Sequence, residues 1–308
     1  MCRVSRGRSG AWAREPAVPE GPAARRLRLG VDVGGTFTDV VTVDGSGRVV
    51  IAKVPSTPTD QSQGVLAGWE ALREAAAGEP SADGGHEVSA RDVTVFAHGT
   101  TVATNALLER RGGRTALVTT EGFRDVIEIG RQDRASLYDL TRGHPEPLVP
   151  RELRFVVRER MGPDGVVVPL DEGSLAAAVA AVEAARVDAV AVCLLFGFRH
   201  PEHERAVGDA LRATLPDTPI SLSHEVLPEF REYERASTTV TDAYLRPTLS
   251  GYLRRLEGRC EHAGLPEPLV MPSSGGVADA GTAAKHPARF VLSGPAGGVV
   301  GASHVAGL

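Results

Sequence analysis

The 308 residues are 42% hydrophobic and 24% charged, with a formal net charge of -5, which argues against the basic excess of a nucleic-acid binder. Three cysteines, Cys2, Cys193 and Cys260, make no disulfide framework, and no run of about 18 apolar residues marks a membrane span. A reducing cytoplasm is the expected compartment, and the length predicts two domains.

Residues 1–26 hold six arginines and no apolar core; they read as a disordered leader, not a secretory signal. Leu27–Val33, Thr36–Val43 and Arg48–Val54 are rich in Leu and β-branched residues. They predict a three-stranded antiparallel meander with a Gly34-Gly35 turn. A helix over Thr59–Ala76 and a polar loop over Pro80–Ser89 follow. Val93–Ala97 reads as a short buried strand. It passes through His98-Gly99-Thr100-Thr101 into a helix that Gly112-Gly113 should stop near Arg111. Thr115–Thr120 is the next strand, Phe123–Ile129 a helix, and 131–150 irregular.

Leu153–Arg160 and Val166–Leu170 predict a hairpin around Gly162–Gly165. Asp171 should cap a helix to about Arg186, Ala189–Leu195 is a buried strand, and Pro201 opens another helix. With the strand Ile220–Leu222 this β-α-β-α-β order predicts a parallel sheet. Glu229–Leu256 reads as helical with a break at Pro247. Leu269–Pro272 and Phe290–Leu292 are the last apolar runs.

The segment Gly30–Asp39, Gly-Val-Asp-Val-Gly-Gly-Thr-Phe-Thr-Asp, carries the strongest chemical signal. Two glycines let backbone N–H groups approach an anion. Thr36 and Thr38 alternate onto one strand face, so both hydroxyls should reach one phosphate. Asp32 at the strand end suits Mg²⁺, directly or through water. The alternative is an ordinary hairpin. His98–Asn105 is the second candidate: a strand passing into a helix offers free N–H groups and hydroxyls to an anion. There His98 could orient a carbonyl or transfer a proton; the alternative is a capped helix over a buried His98.

Arg131 and Arg134 suit a carboxylate or a plain surface loop. His200, His203 and His224 beside Glu202, Glu204 and Glu225 have a metal-site look, but a helix start explains their acidic neighbours. Cys193 reads as core, and Glu229–Arg235 as a solvated helix face.

Asp32–Asp39 resembles the first phosphate loop of the sugar kinase, heat-shock chaperone and actin superfamily. Its wording is similar to that of the hydantoinase A/5-oxoprolinase family. His98–Arg110, Gly122–Gln132, Leu137–Leu140, Ser223–Glu225, Glu232–Arg235 and Ser293–Gly298 look like that family's later landmarks, in order. The resemblance runs from Leu27 to Leu308; Pro272 stands where Gln is expected.

It implies an α/β fold: an RNase H-like, actin-like lobe over 27–225 with an inserted α/β subdomain at about 115–225, then from 226 the start of a core domain, truncated before the second lobe. Only one phosphate loop is present and no adenosine pocket, so a second subunit or a missing C-terminal half is the expected partner. Exposed apolar surface at Phe290–Leu308 and association are expected with it.

The implied chemistry is ATP- and Mg²⁺-dependent phosphorylation and opening of a small cyclic amide, of hydantoin or 5-oxoproline type. Asp32 would anchor Mg²⁺, and Gly34, Gly35, Thr36, Thr38 and Asp39 would bind the phosphates. His98, Thr100 and Thr101 would face the acceptor, and Asn105, Arg131 and Arg134 the substrate. A ketone carboxylase subunit, a non-catalytic assembly chain and a metabolite kinase are the other readings.

Overall fold

The computed structural model describes residues 26–57, 59–77, 88–139 and 141–306. The expected leader (all but Arg26), most of the Pro80–Ser89 loop and Leu140 lie outside them. Among the described residues, no helix is long and apolar enough to cross a membrane.

Two sheets organise the chain. The first opens with the expected meander: β1 (Leu27–Val33), β2 (Phe37–Val43) and β3 (Val49–Pro55), each antiparallel to the next. β4 (Val93–Thr100) then lies parallel to β1 on its other side. Far later in the chain, β11 (Pro268–Val270) adds parallel to β4, and β12 (Ala278–Asp279) closes the edge antiparallel to β11. The strand order β3-β2-β1-β4-β11, with the first three antiparallel, is that of the RNase H-like lobe.

The chain between β4 and β11 builds a second sheet. Its strands are β5 (Thr115–Thr120), β6 (Arg154–Val157), β9 (Ala189–Cys193) and β10 (Ile220–Leu222), ordered β10-β9-β5-β6 and parallel throughout. β7 (Arg160–Gly162) and β8 (Gly165–Val168) form a separate small hairpin. The expected long hairpin from Leu153 is therefore split. The apolar start of that run pairs with β5 in the core, and only the residues next to Gly162–Gly165 turn back.

Helix α1 (Gln61–Ala77) lies across the first sheet, burying Val65, Trp69 and Leu72. Gly64 and Gly68, one turn apart, face β2: a Cβ on Gly64 would lie 3.0 Å from Thr38 Oγ1, and one on Gly68 would overlap Val40. Helix α2 (Val102–Leu108) follows β4 and stops earlier than expected. Its end is a left-handed cap made by Arg110 (φ 54). Arg111 N donates to Ala106 O and Arg110 N to Leu107 O, the paired bonds of a Schellman end.

Gly112 and Gly113 serve another purpose. A Cβ on Gly112 would enter the Tyr244 ring, and one on Gly113 would lie 2.8 Å from Pro247 Cγ. Both residues let the backbone press against the longest helix.

After the one-turn α3 (Val126–Ile129), helices α4 (Glu172–Ala185) and α5 (Glu202–Thr214) flank the second sheet. Asp171 caps α4 as expected, accepting from Ser174 N at 2.8 Å. After the single turn α6 (Ser223–Val226) comes α7 (Glu232–Ala263), 32 residues unbroken through Pro247. At 1.5 Å per residue it is about 48 Å long. Its first half places Ala236, Val240 and Ala243 in the core of the second sheet. Its second half places Leu249, Tyr252, Leu253 and Leu256 in the core of the first. The break expected at Pro247 is absent, and on the turn before it Gly113 N donates to Tyr244 O at 2.8 Å.

The chain ends in α8 (Ala280–Lys285) and α9 (Ser293–Ala306). Phe290, expected on an exposed edge, is 1% exposed; among the described large hydrophobic residues there, Leu292 and Val299 remain open.

Candidate functional site

The candidate site forms where β1, β2 and β4 end together. In the sheet register Asp32 stands between Asp39 on β2 and Gly99 on β4. Alternation along β1 buries Leu29, Val31 and Val33 under α1 and turns Asp32 to the opposite, open face. The Asp32 carboxylate has no hydrogen bond or ion pair among the described residues. Partial burial pushes its pKa up, Asp39 adds to this, and Lys53 opposes it. Asp39 is held by Lys53, whose Nζ donates to its two oxygens at 2.7 and 2.9 Å. Gly99 makes room: a Cβ there would sit 2.8 Å from Asp32 Oδ1.

The Gly34–Thr36 turn is closed by Gly34 N donating to Phe37 O at 3.0 Å. The Gly34 amide is thus spent on the turn, which corrects its expected place in a phosphate cradle. None of the described turn bonds uses the amides of Gly35 or Thr36, and both residues are exposed. Thr38 is also corrected. It is fully buried on the α1 face and bonds Ser56 Oγ at 3.1 Å. Thr36 lies in the turn, so the two hydroxyls do not share a face.

Ser56 was not singled out by motif. Its Oγ donates to Gly34 O at 2.8 Å and its N to Thr36 O at 2.9 Å, bracing the turn from below. Only the β2–β3 register, which brings Val54 opposite Thr38, could have pointed to it.

The second motif is fastened to the first. Thr101 donates to Val33 O through both its N and its Oγ1, each at 3.0 Å. Asn105 Nδ2 donates to Thr101 Oγ1 at 3.2 Å, and it lies 3.7 Å from where a Cβ on Gly35 would be. Asn105 therefore stands beside the Gly-Gly turn.

Thr100 is fully buried, its Oγ1 accepting from Val102 N at 3.2 Å. Ser293 Oγ at the start of α9 donates to Thr100 O at 2.9 Å, and Thr104 Oγ1 bonds Val291 O. Ser293 is a further brace, on a motif noted in the sequence without a role.

His98 takes the second of its two expected places, the buried one. It is 0% exposed, with Nε2 2.8 Å from Tyr252 Oη and its ring set edge-on to Phe96. Burial pushes its pKa down to about 4, against a raising contribution from the Val31 backbone. As placed, neither His98 nor the Thr100 hydroxyl reaches an acceptor in solvent; both hold the end of β4.

Arg131 and Arg134 do not join this cluster. Arg131 pairs with Glu234 at 2.7 Å, and Arg134 is exposed. The three histidines take separate partners: His203 Nδ1 meets Glu159 at 2.8 Å, His224 Nδ1 meets Glu204 at 2.7 Å, and His200 Nε2 meets Pro163 O at 3.1 Å. Among the described residues no group of three or more His, Cys, Asp or Glu could hold a metal.

Glu204 is fully buried, with bonds from Leu194 N, Ser223 Oγ and His224 N. Arg235, expected on a solvated face, is fully buried and donates to Leu194 O and Glu229 O. Burial pushes the Cys193 thiol up to about 11, as befits a core residue.

Comparison with known proteins agrees with this architecture. The model of the hydantoinase/oxoprolinase N-terminal region matches residues 28–215, and the hydantoinase/oxoprolinase model matches 235–308. Caprolactamase subunit alpha of Pseudomonas jessenii is 37% identical over 276 residues, spanning 88% of this chain and 39% of that protein. A nucleotide-free structure of acetone carboxylase, from work on ATP-dependent acetone carboxylation, superposes with a TM-score of 0.75 at 28% identity. It covers 90% of this chain and 40% of that one. The crystal structure of ATP-dependent caprolactamase from Pseudomonas jessenii also gives 0.75, at 35% identity, covering 87% and 39%. The chain thus spans about 40% of the length of these relatives.

Proposed function

Because the chain belongs to the hydantoinase/oxoprolinase family, we propose that it carries one phosphate-binding lobe of an ATP-dependent enzyme that opens cyclic amides. The observation behind this reading is the unpartnered Asp32 carboxylate beside the open amides of Gly35 and Thr36. Such a donor set fits a nucleotide phosphate with Mg²⁺, which takes one or two carboxylates and keeps waters. Bound MgATP would supply the phosphoryl group that activates the amide carbonyl toward water.

The chain's own residues do the positioning on which phosphoryl transfer depends. Asp32 would hold Mg²⁺, directly or through water, and the Gly35 and Thr36 amides would hold phosphate oxygens. Lys53 keeps Asp39 neutralised, so Asp32 is the carboxylate left for a cation. Thr101 and Ser56 fix the turn, and Asn105 is the side chain best placed to meet a ligand resting on it. A second polypeptide or further chain would complete the nucleotide site and present the amide.

Asp32→Asn in the complete assembly should lower amide-dependent ATP hydrolysis by about 100-fold or more while leaving folding intact. Turnover at the parental rate would remove Asp32 from the mechanism. The similarity to acetone carboxylase favours a second reading, a carboxylase subunit. Turnover that requires bicarbonate would select it.

A further inference from the structure

A cleft of about 520 Å³ opens between the irregular segment 130–148 and the first turns of α7. That volume lies in the range of small-molecule sites. The described residues of segment 130–148 form no helix or strand, yet the segment is shaped. Gly130 takes φ 57 and ψ -138, a conformation close to glycine alone. His144 Nε2 lies 2.8 Å from Asp133 O, tying the two sides of the segment together. Arg110 at the end of α2 donates to Glu146 O at 2.6 Å.

The charges of the cleft are sorted. Glu128 is matched by Arg154 at 2.7 Å. Arg131 uses Nε and Nη2 on one oxygen of Glu234, which leaves its Nη1 edge without a partner among the described residues. Among the described residues no Lys or Arg pairs with the carboxylates of Asp133 and Glu146, and His144 Nε2 lies 3.9 Å from Asp133 Oδ1. Ile127, Leu148 and Val240 give the cleft an apolar wall. It therefore offers a guanidinium edge, two carboxylates and an aliphatic surface.

We propose that this cleft binds a zwitterionic amino acid: its carboxylate on Arg131, its ammonium at Asp133 and Glu146, and its methylenes on the apolar wall. Naming the ligand rests on the reading above, with a lactam as the cyclic amide, because opening a lactam with water releases a carboxylate and an amine on one carbon chain. The site is separate from the phosphate turn. Leu148 of the cleft and Leu107 of α2 pack on one cluster with Ala103 and Ala106. Helix α2, about 10 Å long, lies between Thr101 at the turn and Arg110 at the cleft. An amino acid held here is a product or effector, not the group being phosphorylated.

The test is calorimetric titration of the purified full chain with 6-aminohexanoate, hexanoate and hexylamine. The amino acid should bind at least tenfold more tightly than either single-ended probe. Arg131→Gln should erase its advantage over hexylamine, and Asp133→Asn with Glu146→Gln its advantage over hexanoate. All three side chains are solvent-exposed, so the variants should fold. No heat, equal binding of the three probes, or variants that bind like the parent would overturn the site. Asp32→Asn should leave this binding unchanged. Loss of amide-dependent turnover in that variant without amino-acid binding to the parent would sink this inference alone. Amino-acid binding with bicarbonate-dependent turnover would sink the hydrolase reading and keep the site.

Discussion

Asp242 is buried in the middle of α7, its Oδ2 accepting from Ser221 Oγ at 2.7 Å and its Oδ1 from Ala288 N at 3.1 Å. Burial outweighs these bonds and the nearby Arg246 and Arg289, and pushes its pKa up to about 6. A group whose folded pKa is raised gives stability that is full below its unfolded value and lost as pH rises through the folded one. A rise of that size corresponds to about 3 kcal/mol at most. Asp242→Asn keeps both bonds, because a Ser hydroxyl can accept where it donated. The variant should match the parent near pH 4 and exceed it by about 1–3 kcal/mol above pH 7, as read by urea unfolding. A difference constant with pH would refute this.

Asp60 has the opposite sign. Partial burial raises its pKa, but bonds from Ser62, Arg259 and Arg255 outweigh that and bring it to about 2. Its stabilising share should therefore be lost only as pH falls from about 4 toward 2. Gly99→Ala belongs to the same scale. Its Cβ would displace the Asp32 carboxylate, so it should cost most of the ATP turnover of the assembly with little change in Tm. Parental turnover in that variant would separate Asp32's orientation from its proposed role.

At the scale of elements, strands bounded by glycine or polar residues were legible. β1, β5 and β10 fall where alternation or a continuous apolar run puts them, because period and punctuation are local properties. What was not legible depends on a partner distant in the chain. Thr38 reads as a phosphate ligand beside Thr36, but the turn between them puts it under α1 against Ser56. His98 reads as chemistry in its motif, yet its partner Tyr252 is 154 residues away. Gly112-Gly113 reads as a helix stop, but its reason is the Tyr244 ring and Pro247. The Asp32–Gly35–Thr36 turn was legible because all of its chemistry lies within five residues; Ser56 was not. Gly112→Ala should cost about 1–3 kcal/mol by overpacking against Tyr244. Gly143→Ala, with open space around it, should cost almost nothing. Equal effects would mean that Gly112 is kept for chain flexibility instead of close approach.

At the scale of the whole molecule, α7 makes the two sheets one folding unit. Its first half is core for the second sheet and its second half core for the first. Between them, Tyr244 O receives Gly113 N at the head of β5, while Asp242 ties β10 to Ala288 in the turn before α9. Neither sheet can lose α7 without exposing large apolar side chains, so unfolding of one should carry the other. The chain should therefore melt in a single transition, with far- and near-ultraviolet circular dichroism superimposed. Leu249→Ala, in the half of α7 that serves only the first sheet, should lower that transition by about 2–5 kcal/mol without splitting it. Two transitions in the parent, or a variant that melts the first sheet alone, would show that α7 bridges two independent units. In that case the Gly34–Thr36 turn, on the first sheet, could open while the second sheet and its cleft stayed folded.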